Sequence, residues 1–273
     1  MNKSIFRDIL ILGTIGLLLL LGGYWAVIKL KQIDLSETFN FELSQEYEEK
    51  LGQMIEESVL ESGNGSEIVR NQKLDSALKI ITARLEGSID SSVYDYKFIV
   101  LESNDINAFN IPGGRIFIFT GLIDFTDSPE QLAAVLAHEM GHAEHKHVVK
   151  KLVKSLSLSA IVAVLTGGDP SVFTSIMQSV LGNVFDRESE READEFACQL
   201  MEKAGIDPIA MATFFHKLNE KELSYDKNLE LLMTHPHNDS RIQFAKGYQL
   251  KKEFKPNAFD LDWTEIKNHL GNE

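Results

Sequence analysis

Ser128-Pro129-Glu130-Gln131-Leu132-Ala133-Ala134-Val135-Leu136-Ala137-His138-Glu139-Met140-Gly141-His142 is the stretch that decides how the rest of the chain is read. Ser128 can cap a helix, Pro129 suits its first position, and Gln131 completes a capping box. Leu132, Val135 and Leu136 continue at helical spacing. On such a helix, residues four apart differ by about 40°, so the imidazoles of His138 and His142 point to one side. Two neutral imidazoles so placed can bind one Zn2+. Glu139 is next to the first of them and can reach a metal-bound water as general base. Zinc lowers the pKa of such a water to about 7, so hydroxide forms at neutral pH. By composition the His-Glu-x-x-His pattern arises by chance about 0.02 times in a chain of this kind.

A catalytic zinc needs a third protein ligand and one position left for water. Asp186-Arg187-Glu188-Ser189-Glu190-Arg191-Glu192-Ala193-Asp194 is the best source. Glu190 and Asp194 share one helical face, continued by Ala197 and Met201. Glu190 is a candidate ligand, and Asp194 a candidate acceptor for the free N–H of a ligand histidine. Glu188, Glu192 and Glu195 fall off that face and read as solvated charge. So many carboxylates sit here that spacing alone leaves the ligand's identity open. His145 and His147 read as exposed residues or as support behind the ligands, because the extended metzincin pattern would need Gly at 145 and His at 148. Cys198 is the single cysteine. It excludes an intramolecular disulfide and a thiolate zinc cluster, and reads as a small buried residue.

Further out, residues 42–62 and 66–86 read as amphipathic helices, separated by Ser62-Gly63-Asn64-Gly65-Ser66. Tyr96–Leu101, Asn107–Ile111 and Arg115–Thr120 read as strands, the last ended by Gly121. Two apolar stretches, about 155–166 and 171–185, are each shorter than the roughly 18 residues a spanning helix needs. Buried helices and a membrane-facing hairpin both remain open for them. Helices are expected at 187–203, from Pro208 to about Glu220, near 239–250 and near 262–270, with a break at Thr234-His235-Pro236. The whole chain has 273 residues, with 27 Lys and Arg against 41 Asp and Glu, a net charge of −14. That is a globular composition, and its acidity argues against a nucleic-acid partner.

Ile9 to Ile28 is a run of 20 residues without a charge. As a helix it is about 30 Å long, the thickness of a bilayer core. Tyr24 and Trp25 near its end suit the interface. No small-x-small site follows, so an uncleaved anchor is expected over residues 1–28 rather than a cleaved signal peptide. Lys3 and Arg7 balance Lys29 and Lys31. The amino-terminal amine tips the orientation toward N-inside, which puts residues 29–273 outside the cytoplasm.

Four segments together resemble zinc metallopeptidase family forty-eight, which includes the CAAX prenyl endopeptidases, HtpX and BepA. They are Asn107-Ala108-Phe109 with Pro112-Gly113-Gly114-Arg115-Ile116-Phe117 and Thr120-Gly121-Leu122; His138 to His142; Arg187-x-x-Glu190-x-x-Ala193-Asp194; and Thr234-His235-Pro236 with Arg241-Ile242. The resemblance covers roughly residues 70–250. One departure is Asp186, where the family often has Ser. The resemblance implies His138, His142 and Glu190 as ligands of one Zn2+ per chain, Glu139 as base, and Asp194 behind a ligand. It implies that His235 can swing toward the metal and block the water site in a resting enzyme. It also implies Arg241 near the active site, suited to the oxyanion of the tetrahedral intermediate. With a single hydrophobic span, the chain looks like a compact single-anchor member.

The expected fold is α+β: a mainly helical zincin-like (gluzincin) domain with a small β-sheet over residues 29–273, behind one transmembrane helix. In zincins an edge strand beside the zinc helix pairs with extended substrate. Gly114, Arg115, Ile116 and Phe117 are the expected substrate-binding strand. The expected function is a single-pass inner-membrane zinc endopeptidase with its catalytic domain in the periplasm. It would act on unfolded or misassembled membrane or envelope proteins. A non-catalytic zinc-containing chaperone or assembly factor is the alternative.

Overall fold

The structure is a computed structural model that describes residues 43–61, 67–167, 170–181, 184–222, 235, 238–268 and 270. The expected anchor at Ile9–Ile28 lies outside the described residues, as do Thr234 and Pro236. No helix among the described residues is long and apolar enough to cross a membrane.

Helix α1 (Gln45–Glu61) comes first and buries Leu51 and Ile55. Helix α2 (Gln72–Glu86) starts later than its apolar spacing suggests. Asn71 caps it, its side chain accepting the N–H groups of Lys73 and Leu74. The residues before the cap lie against a strand instead: the Val69 N–H donates to the Val100 carbonyl at 3.0 Å, and the Glu102 N–H to the Glu67 carbonyl at 2.8 Å.

Three strands follow, β1 (Lys97–Leu101), β2 (Ala108–Ile111) and β3 (Arg115–Phe119), in the order β1-β3-β2. β3 runs parallel to β1 and antiparallel to β2, with Phe109 opposite Phe117 and Ile111 opposite Arg115. Side chains alternate across a strand. Ile116 and Ile118 therefore join one apolar cluster, and Phe117 joins the other. The sheet is buried on both faces. The strand expected to run on to Thr120 turns there into a short helix α3 (Thr120–Phe125). Gly121 permits this turn, since a Cβ would lie 2.5 Å from the Asn104 carbonyl oxygen.

Helix α4 (Pro129–Glu144) is the central rod, buried at every position from Gln131 to Ala143. It begins as the sequence indicates, with the Ser128 hydroxyl accepting the Gln131 N–H. A helix buried on all sides needs partners all round. On one side α2, helix α8 (Arg187–Lys203), helix α9 (Ile209–Glu222), helix α10 (Asn238–Gly247) and helix α11 (Trp263–Asn268) complete the larger core. On the other, α1 meets helix α5 (His147–Leu156), helix α6 (Leu158–Leu165) and helix α7 (Pro170–Leu181) in a second core. Ile161, Val164, Leu165 and Ile176 are buried there, so the two apolar stretches contribute short packed helices. The division into α5 and α6 differs from the expectation. Lys146 (φ 54°) and Ser157 (φ 68°) each take up left-handed φ and break the helix.

Candidate metal centre

Two helices and one loop residue converge beside α4. It contributes His138, Glu139 and His142, all buried. Helix α8, capped by the Asp186 carboxylate on the Ser189 N–H, contributes Glu190 from its first turn and Asp194 one turn on. Gly141 lets α8 come this close, because a Cβ there would lie 2.9 Å from the Ala193 carbonyl oxygen. His235 enters from the segment between α9 and α10, and Arg241 from α10.

His138 Nε2 lies 3.0 Å from His142 Nε2. Glu190 Oε1 is 3.4 Å from His142 Nε2, and its Oε2 is 3.6 Å from His138 Nε2. His235 Nδ1 lies 2.8 Å from Glu190 Oε1 and 3.3 Å from His138 Nε2. One donor atom from each of His138, His142, Glu190 and His235 lies within 4.8 Å of the others. Glu190 Oε2 is buried and accepts no hydrogen bond. Nitrogen and oxygen donors in this number fit a zinc ion. Glu139 stands beside the group. Its Oε2 accepts the Asn110 N–H at 3.0 Å; its buried Oε1 accepts none and lies 3.6 Å from His235 Nε2.

Burial governs the charges. It drives His138 down to about 4, with Arg241 acting the same way, and drives His142 well below the usual histidine range. Both rings are therefore neutral, the form that binds metal. Burial also pushes Glu139 up to about 7, within reach of a general base at neutral pH. Burial opposes ionisation of Glu190 too, but His235 and Arg241 outweigh it and hold that carboxyl far below its ordinary range. His235 is raised, because Glu190 and Glu139 overcome its own burial.

Behind the donors, His138 Nδ1 lies 2.9 Å from Asp194 Oδ1. Arg241 donates to Asp194 from Nη2 at 2.7 Å and from Nε at 3.0 Å, and its Nη1 lies 3.2 Å from Glu190 Oε2. Its plane stacks on Phe215 at 3.9 Å. His142 Nδ1 lies 2.8 Å from His147 Nδ1, and His147 Nε2 lies 3.0 Å from Glu192 Oε2. Glu192, expected in solvent, is thus tied to the site. Glu188 and Glu195 do stay outside, paired with Arg191 on an exposed face. Phe185 lies over the group, stacked on His142 at 4.1 Å and His235 at 5.3 Å. No sequence signal marked it.

The expected substrate strand needs correcting. β3 is the central strand, not an edge, so its main chain is already paired on both sides. Arg115 is buried in ion pairs with Glu49 at 2.5 Å and Glu56 at 2.7 Å. A Cβ on Gly114 would lie 2.8 Å from the Tyr94 side chain, and Ile116 and Phe117 are core residues. The edge beside Glu139 is β2. Asn107 turns its carbonyl toward β3, accepting the Phe119 N–H at 3.1 Å, while Asn110 turns its N–H the other way, to Glu139.

A family model for Peptidase family M48 matches residues 70–249. The chain is 26% identical over 216 residues to the Beta-barrel assembly-enhancing protease of Yersinia pestis, covering 74% of this chain and 44% of that protein. It is 32% identical over 187 residues to the Mitochondrial metalloendopeptidase OMA1 of Arabidopsis thaliana, covering 68% of this chain and 37% of that one. It is 32% identical over 185 residues to Metalloprotease LoiP of Escherichia coli (strain K12), covering 64% of this chain and 71% of LoiP. The chain spans less than half the length of the first two. It belongs to peptidase family M48.

Proposed function

We propose that the chain is a membrane-anchored endopeptidase that hydrolyses peptide bonds in unfolded or misassembled membrane and envelope proteins. The observation that carries this is a buried donor set, His138, His142 and Glu190, beside a carboxylate with one unpartnered oxygen, Glu139 Oε1. In this reading those three residues hold one zinc ion. Bound there, zinc supplies the Lewis acidity that makes a water nucleophilic near neutral pH. Glu139 Oε1 takes the proton of the attacking water and returns it to the leaving amine, while the Asn110 N–H fixes the other oxygen. Asp194 holds the proton of His138 on Nδ1, so that Nε2 is the nitrogen turned toward the other donors. Arg241 steadies Asp194 and Glu190. Its Nη1, 3.2 Å from Glu190 Oε2, is the group assigned to the oxyanion in this reading.

His235 has to withdraw before substrate enters, since it occupies the water side of the donor set. In this reading the arrangement corresponds to a resting state, and the stacking of Phe185 on His235 supports it. An extended peptide pairs with the β2 edge at Ala108, in place of the β3 residues first expected, and main-chain pairing sets little sequence preference. Residues 1–28 anchor the enzyme and residues 29–273 form one catalytic unit outside the cytoplasm. Relatives named for β-barrel assembly and for mitochondria support a setting at membranes.

The test is made in cells. Glu139→Gln should fail to complement a deletion and should trap polypeptides that the wild type degrades. Full complementation would favour the non-catalytic assembly factor instead. A tag at the carboxyl terminus should be accessible from outside the inner membrane; a cytoplasmic tag would reverse the orientation.

A further inference from the structure

We infer that His147 and Glu192 are positioning residues that fix the proton of His142 on Nδ1 and so present its Nε2 lone pair to the metal. The inference rests on His142 being a ligand, as proposed above. His142 Nε2 is the nitrogen that faces Glu190 and His138. Among the described residues, its other nitrogen meets a ring nitrogen, His147 Nδ1, at 2.8 Å. Two ring nitrogens at that distance must be one donor and one acceptor. His147 Nε2 in turn meets the Glu192 carboxylate at 3.0 Å, and a carboxylate only accepts. A neutral His147 ring therefore carries its single proton on Nε2 and donates it to Glu192. Its Nδ1 is left to accept, so His142 must donate from Nδ1. The reverse arrangement sets a ring lone pair against a carboxylate oxygen and puts the His142 proton on the side facing the metal.

The two imidazole ligands are thus supported by different routes from one helix. His138 leans on Asp194 directly, at 2.9 Å. His142 reaches Glu192 through a buried second histidine, and Phe185 stacks on its ring from one side. Helix α8 supplies a ligand at Glu190 and a supporting carboxylate to each histidine. The left-handed turn at Lys146 starts α5 at His147 and brings that ring back against α4.

The experiment measures zinc affinity of the full chain by competition with a chelator, with the visible spectrum of the cobalt-substituted protein alongside. His147→Leu, which cannot accept, should weaken affinity by about 10–100-fold, as loss of a hydrogen-bond partner behind a ligand histidine does, and should shift the cobalt bands. His147→Gln, whose amide can accept from His142 and donate to Glu192, should recover affinity. Glu192→Ala should weaken binding more than Glu192→Gln, whose oxygen still accepts; this pair carries the test if His147→Leu does not fold. Affinity at the wild-type level in His147→Leu, or no rescue by His147→Gln, would overturn the inference. His142→Ala separates the two layers: if it too leaves affinity unchanged, the metal-site reading fails, whereas its loss beside an unaffected His147→Leu refutes only the positioning role.

Discussion

Replacing Gly141 with Ala probes the contact on which the whole site depends. The new methyl would sit 2.9 Å from the Ala193 carbonyl oxygen, 3.0 Å from Ala193 Cα and 3.3 Å from Phe196 Cβ. Two of these are backbone atoms, so a rotamer change cannot relieve them. Carbon contacts are comfortable at about 3.5–4.0 Å, so α8 has to retreat by roughly half an ångström. Forcing an extra methyl into a packed core costs about 1–3 kcal/mol. Against that, Ala is favoured over Gly inside a helix by about 0.8–1.0 kcal/mol. The net is a loss of up to about 2 kcal/mol, which for a domain of this size lowers Tm by up to roughly 8 °C. The retreat also carries Glu190 away from His138 and His142, so zinc affinity falls together with stability. The assay is thermal unfolding of the metal-free chain, which keeps ligand linkage out of the comparison, followed by chelator competition for zinc. An unchanged or raised Tm with unchanged zinc affinity would refute the claim that this glycine sets the spacing between α4 and α8.

Three other outcomes follow from particular contacts. Asp194→Ala leaves the Arg241 cation buried without its main partner, and breaking such a pair costs about 3–5 kcal/mol in chemical denaturation; a change under about 1 kcal/mol would contradict the network described. Gly114→Ala, at φ 71° and against Tyr94, should cost about 1–2 kcal/mol or more yet leave peptidase activity per folded molecule intact; a selective loss of activity would restore Gly114 to the substrate path. Burial pushes the Cys198 thiol up to about 12, so a thiol reagent at mildly alkaline pH should label it only after denaturation; rapid labelling of the native protein would place it at the surface.

What could be read from the chain alone follows the range of the interactions involved. The cap at Ser128, the helix after it and the shared face of His138 and His142 depend on residues within two turns of one another, and the structure has them as read. Glu190 and Asp194 lie on one face of α8 for the same reason. The identity of the edge strand was not accessible in this way. Arg115–Phe119 is rich in β-branched and aromatic residues, and that marks it as a strand without saying who its neighbours are; pairing with both β1 and β2 makes it the centre of the sheet. Glu192 looked solvated because it lies off the face shared by Glu190 and Asp194. Its partner, His147, arrives only because Lys146 adopts a left-handed conformation that no side-chain pattern announces. Phe185 carries no local sequence signal, because it stacks on two histidines distant in sequence.

The central claim, that Glu139 performs the chemistry on a metal held by His138, His142 and Glu190, is tested most directly by one paired measurement on Glu139→Gln. Bound zinc is determined by elemental analysis, and cleavage of an unfolded polypeptide is followed with the same preparation. The expected result is one zinc per chain, as in the wild type, with cleavage abolished. Cleavage at the wild-type rate with zinc still bound would contradict the account.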